Sequence, residues 1–267
     1  MKITVGQFAA GEDPELNAAV CRDLMTGAAD SDLLVLPEGV LVRYPGQPER
    51  KLTGAQPLDG SFVSSLLDHS RGLDVTVVVG IHEPANDTRV YNTLVALRRG
   101  EIVAVYRKLH LYDAFADRES DHVVPGDLAP PVFACGDWSV GLMTCYDVRF
   151  PETARLLVDQ GAEIIALPAA WVRGIAKERH WELMVAARAL ENTCYVAASG
   201  ECGIRNIGAS MIVDPLATVV ARLGGRPGAV SAEIDKDDLA AARAALPVLA
   251  NRRLLIDPAV RPAVGVL

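Results

Sequence analysis

Three residues capable of covalent amide chemistry stand where apolar runs stop: Glu38 closes DLLVLPE, Lys108 closes EIVAVYRK and Cys145 closes SVGLMTC. A thiol with an ordinary pKa near 8.5 is mostly protonated at neutral pH and needs a base or a nearby cation to become a nucleophile. A carboxylate and an ammonium supply both. The trio suits attack on the carbon of an amide or nitrile, in which Glu38 accepts the thiol proton, Cys145 adds to the carbon and Lys108 holds the developing negative oxygen. Glu38 then protonates the departing amine and activates the water that cleaves the thioester. Singly, each residue has a plainer reading: a core cysteine, a solvated lysine after a strand, a loop acid after Pro37. Their convergence is informative, because ligands collect outside the carboxyl ends of strands in open α/β sheets.

The elements that must position these residues alternate along the chain. KITVGQF, DLLVLPE, DVTVVVGIHE, EIIALPAAW and CYVAASGE read as strands, separated by the helical stretches EDPELNAAVCRDLMTGAAD, SFVSSLLDHSRG, PETARLLVDQG and AKERHWELMVAARALEN. Pro151 opens one of these helices and Gly161 closes it. YNTLVALRRGEIVAVYRK and PVFACGDWSVGLMTC are apolar pairs broken at Arg99-Gly100 and Gly136-Asp137, which predicts two hairpins, and GASMIVDPLATVVARLG predicts a third around Asp214-Pro215. No linker, repeat or low-complexity block divides residues 1–267. The expectation is one α/β domain, a mixed sheet arrangement covered by helices.

Composition narrows the function class. Half of the 267 residues are hydrophobic, so there is ample material for a core, and a net charge of -8 argues against nucleic acid or an anionic membrane as partner. A small molecule is the expected ligand. The N-terminal stretch lacks an apolar leader and no run approaches a membrane span, so a cytoplasmic location is expected. The five cysteines are scattered without a CxxC pair, and the five histidines show no HxH or HExxH spacing, so neither a disulfide framework nor a metal site is expected. His110 and His180 read as structural, Cys194 and Cys202 as core thiols, and LGGRPG as a surface turn.

LLVLPEG, YRKLHLYD and GLMTCYDVRFPE resemble the three signature segments of the nitrilase superfamily of carbon-nitrogen hydrolases, in that order. The resemblance continues through GAEIIALPAAW, HWELMVAARALENTCYVAASGE and LPVLANRR, and so covers nearly the whole chain. It implies a four-layer α-β-β-α sandwich, no metal or cofactor, and Glu38, Lys108 and Cys145 as the catalytic residues. It also implies that Glu119, in DRESDHVVPGD, is a second glutamate that orients Lys108 and the substrate amide. A homodimer or larger homo-oligomer is implied too, with the apolar C-terminal tail, about 247–267, at the interface.

Within that superfamily the chain looks most like the small amidases acting on carboxylate-bearing amides of omega-amide or deaminated-glutathione type. An anionic substrate calls for a cation in the pocket, and Arg149, four residues after the thiol, and Arg173, after LPAAW, are the candidates, with Tyr146 beside them. WVRGIAKERHW departs from the small, Thr- and Gly-rich stretch of those amidases, and Ala217 stands where a turn glycine is common. A nitrile or N-carbamoyl-amine hydrolase uses the same trio, and a non-catalytic binding protein on this fold would be expected to have lost it.

Overall fold

The computed structural model describes residues 1–115, 117–257 and 259–260. Its strands are β1 (Lys2–Gln7), β2 (Leu33–Val35), β3 (Thr76–Pro84), β4 (Val90–Arg98), β5 (Glu101–Arg107), β6 (Asp113–Ala114), β7 (Asp117–Arg118), β8 (Val132–Cys135), β9 (Trp138–Leu142), β10 (Ile164–Ala169), β11 (Tyr195–Gly200), β12 (Met211–Val213), β13 (Val219–Arg222) and β14 (Gly228–Glu233). Its α-helices are α1 (Pro14–Gly27), α2 (Lys51–Gly54), α3 (Ser61–Ser70), α4 (Pro151–Asp159), α5 (Lys177–Asn192), α6 (Lys236–Ala245) and α7 (Val248–Asn251). Local chemistry sets several ends: Asp13 caps α1 by accepting from the Glu15 amide at 2.9 Å, and Pro14 and Pro151 occupy first turns where a missing N–H costs nothing.

Two six-stranded sheets form, in the orders β14-β1-β2-β3-β4-β5 and β13-β12-β11-β10-β9-β8, and β6 pairs with β7 in a small ribbon. Each sheet has a parallel centre, β1-β2-β3 or β9-β10-β11, with antiparallel strands outside it.

Side-chain alternation then assigns the faces. Leu33 and Val35 join Val140, Leu142, Ile164 and Ala166 in a core shared between the sheets. Leu34 and Leu36 turn the other way, onto Cys21 and Met25 of α1 and Phe62 and Leu66 of α3. Ile165 and Leu167 likewise meet Leu157 of α4 and Trp181 and Val185 of α5. The layers therefore run α-β-β-α, as expected. Buried polar ties also cross between the sheets, with the Ser199 hydroxyl donating to the Gly6 carbonyl at 2.5 Å and Ser210 donating to Gln7 Oε1 at 2.7 Å.

All three predicted hairpins form, and Ala217, where a glycine is common, sits at φ 68 in the left-handed region. The strand predicted through Glu38 is shorter than expected: it ends at Val35, because the chain turns away from the sheet at Pro37. The edge strand β14 and helix α6 carry too little apolar periodicity to stand out in the sequence. Of the tail, Leu254 and Leu255 are exposed, while 258 and 261–267 lie outside the described residues. No helix among the described residues is long and apolar enough to cross a membrane.

The inter-sheet core yields a direct expectation. Leu142→Ala removes a fully buried side chain from between two sheets that cannot close over the gap, and should lower unfolding free energy in urea by about 2–5 kcal/mol.

Candidate active site

Glu38 is set in place by lacing its turn to β3. Leu36 donates to the Val78 carbonyl at 2.8 Å, Gly80 to the Pro37 carbonyl at 3.1 Å and Val40 to the Gly80 carbonyl at 2.8 Å. The approach is so close that a Cβ on Gly80 would stand 2.7 Å from Glu38 Cα, which only glycine permits. Lys108 follows β5 directly, its amide donating to the Asn92 carbonyl at 2.9 Å.

Cys145 begins a 3-10 turn, Cys145–Arg149, at φ 44, a strained value for a residue with a side chain. Asp147, fully buried, holds that turn. Its carboxylate accepts from the Thr144 amide (3.0 Å), the Tyr106 hydroxyl (2.8 Å) and the His110 amide (3.2 Å), and lies 2.7 Å from His110 Nδ1. His110 stacks on Phe150 with ring centroids 3.7 Å apart.

The ionised groups meet in one buried cluster. Lys108 Nζ donates to Glu38 Oε1 at 3.1 Å and to Glu119 Oε2 at 2.8 Å. Asn92 Nδ2 bridges the same two carboxylates, at 2.6 Å from Glu38 Oε1 and 3.0 Å from Glu119 Oε1. The Ala170 amide donates to Glu38 Oε2, and the Tyr112 amide to Glu119 Oε2, both at 2.7 Å. Every carboxylate oxygen of the pair thus has a donor.

Burial opposes charge on all of these groups, yet the partners prevail where they are opposite in sign. Lys108 offsets the burial of both glutamates and holds each below the ordinary carboxylate range; the glutamates in turn raise Lys108 well above its ordinary value. Burial, reinforced by Glu38, pushes the Cys145 thiol up, so at rest it is a thiol and not a thiolate. A resting proton transfer from Cys145 to Glu38 is therefore uphill.

Glu38, Lys108, Glu119 and Cys145 open together onto a cavity of about 810 Å³. The three other predicted residues do not line it. Arg149 stands over the Trp171 ring at 4.9 Å with Nε and Nη2 unpartnered among the described residues, Arg173 is exposed beside Gly203 and Glu178, and Tyr146 packs edge-on against Tyr112 and Phe150. The cations in the wall are instead Arg43, Lys51, Arg118, Lys177 and Arg205. Lys177 comes from the departing WVRGIAKERHW segment and donates to Tyr112 Oη at 2.6 Å. Glu201, also in the wall, is pushed up to about 6 by burial. Sequence reasoning missed Asn92 and Asp147, although a lone asparagine in the apolar run YNTLVALR was a legible signal.

A layered α-β-β-α scaffold with a thiol, a carboxylate and an ammonium at one cavity defines a nitrilase-like protein. The solved carbon-nitrogen hydrolase of Helicobacter pylori shares that fold with a TM-score of 0.87, at 24% identity over 95% of each chain. This chain belongs to the carbon-nitrogen hydrolase family, whose profile matches residues 2–244, and is an amidase-type hydrolase. It is 47% identical over 255 residues to the deaminated glutathione amidase of Escherichia coli O157:H7, covering 95% of this chain and 97% of that one. A Glu-to-Gln mutant of the amidase from Nesterenkonia sp. AN1, with the acetamide moiety of fluoroacetamide added covalently at its active-site cysteine, superposes with a TM-score of 0.82 at 26% identity, covering 95% of this chain and 94% of that one.

The Asp147 anchor is testable by stability. Asp147→Ala strands the Tyr106 hydroxyl and two main-chain amides in a dry interior and should cost roughly 3 kcal/mol or more in urea unfolding. A loss below 1 kcal/mol would show that the Cys145 turn holds itself.

Proposed function

We propose that this chain hydrolyses a small carboxylate-bearing amide, of omega-amide or deaminated-glutathione type, through a thioester on Cys145. One observation carries the reading: Glu38, Lys108 and Cys145, from three strand ends on two different sheets, face the same cavity, and Lys108 bonds Glu38 at 3.1 Å. The 47% identity to a protein named deaminated glutathione amidase supports the substrate class.

In this scheme Glu38 takes the Cys145 proton as sulfur bonds to the amide carbon, and the carbonyl electrons move to an oxygen held by Lys108. The proton passes from Glu38 to the nitrogen, the C–N bond breaks, and ammonia or an amine leaves the thioester. Water then gives a proton to Glu38 and its oxygen to the acyl carbon. Sulfur departs as the thiol, with that proton returned. Glu119 holds Lys108 and orients the amide. Two further parts belong to the same reading. The 1–267 chain acts as one hydrolase unit in the cytoplasm, and it works as a homodimer or larger homo-oligomer with the C-terminal tail at the interface.

Ammonia or amine release from a panel of omega-amides, carbamoyl amines and nitriles tests the reaction class. Cys145→Ala should abolish turnover with the fold intact, and Lys108→Met should lose several orders of magnitude in rate at every pH. Glu38→Gln should slow turnover by ~10² to 10⁴-fold. An active Glu38→Gln enzyme would overturn the assignment of the base.

The pH dependence follows from the direction of the Glu38 shift. A base held below its ordinary value stays ionised to lower pH, so kcat/KM should fall only below about pH 4.3. Glu201, at about 6, also faces the cavity, so profiles are compared in wild type and Glu201→Gln. An acid limb near pH 6 that survives in Glu201→Gln would contradict the Glu38 assignment.

A further inference from the structure

The chain leaving Glu38 folds over the cavity and carries two cations that the chemistry above does not use. Gly54 of α2 lies so close to the preceding segment that a Cβ there would overlap Val42 Cγ1 and stand 3.2 Å from Tyr44 Oη, and Arg50 stacks on the Tyr44 ring at 3.8 Å. These contacts clamp α2 onto residues 42–44. Lys51, three positions before Gly54, emerges on the same helix face and lines the cavity together with Arg43.

The guanidinium of Arg43 is fixed and only half used. Its Nη2 donates to the Glu38 carbonyl at 2.7 Å, and its Nε is buried with no hydrogen-bond partner among the described residues. The Lys51 Nζ makes no hydrogen bond to any described residue, and neither cation has a described carboxylate within 4.0 Å, whereas Lys108 has two. The nearby wall carboxyl, Glu201, is taken by Asn206 Nδ2. His82, packed beside this segment, is held neutral by burial and by Lys51 and Arg43 themselves. Two half-buried positive charges thus sit together with no carboxylate in direct contact among the described residues, Glu38 and Glu119 acting on Lys51 only from farther off. An acidic protein of net charge -8 has every means to neutralise them and has not done so here.

We infer that Arg43 and Lys51 form an anion-binding subsite in the cavity wall that takes the carboxylate of the amide substrate. The inference rests on the amide-hydrolase reading above and names the residues that would make it selective. A single carboxylate fits better than a phosphate, because Glu38 and Glu119 share the same cavity and repel further negative charge. A planar guanidinium and a flexible ammonium can grip its two oxygens from different sides.

The matched pair glutaramate and valeramide, which differ only in a distal carboxylate against a methyl, tests the subsite. In the wild type kcat/KM for glutaramate should exceed that for valeramide by tenfold or more. Lys51→Met should lower this ratio about tenfold, chiefly through KM, and Lys51→Arg should restore most of it. Arg43→Met should lower both the ratio and the turnover of both amides, because Arg43 also braces the Glu38 carbonyl. A ratio unchanged in Lys51→Met overturns the subsite and leaves the hydrolase standing. If the wild type cleaves neither amide, the substrate reading fails, and calorimetric binding of glutarate then decides the subsite by itself. Binding weakened at least tenfold in Lys51→Met supports it; equal or absent binding overturns it.

Discussion

A buried ammonium held between two buried carboxylates governs this structure. Lys108 is almost without solvent contact, and such a charge survives in a dry interior only if opposite charges and hydrogen bonds replace the lost water. Glu38 and Glu119 supply them, and each carboxylate depends in turn on Asn92 and a main-chain amide. Removing one member leaves the others charged and unpaired. The cluster thus ties β2, β4, β5, β10 and the Glu119 turn to one another, and the geometry around Cys145 is inherited from it.

The scaffold serves that cluster by keeping its parts on elements that cannot drift. Two sheets share a core, and each is backed by helices, so the ends of β2 and β9 are held from both sides, while β5, an edge strand, is held through its pairing with β4 and its inner face. The remaining freedom lies in the turns beyond those ends. Gly80 lets the Glu38 turn touch β3, and Asp147 holds the Cys145 turn through bonds to Thr144, Tyr106 and His110. Positioning is thus shared between a rigid frame and a few short polar ties.

The frame was largely legible in the sequence, because strands and helices with one or two buried faces leave a period in the residues. Glu38, Lys108 and Cys145 were legible for a related reason: each interrupts an apolar run with a group that does not belong in a core. Arg149 and Arg173 were placed near the site by adjacency in sequence; a 3-10 turn sets Arg149 on Trp171, itself a wall residue, outside the cavity lining, while a loop carries Arg173 into solvent. Arg43 and Lys51 gave no such signal. Their stretch has no period, and they meet only because Gly54 lets a four-residue helix close onto Val42 and Tyr44.

The protonated state of Cys145 reaches beyond hydrolysis. Oxidants such as peroxide, and disulfides in exchange reactions, attack thiolates far faster than thiols. A thiol kept neutral by burial and by a neighbouring carboxylate is poor prey for both, even though it opens onto a cavity. The other four cysteines are buried with raised thiol pKa values as well. The raised thiol of Cys145 is thus slower toward such reagents than a free thiolate would be, for as long as its proton stays in place.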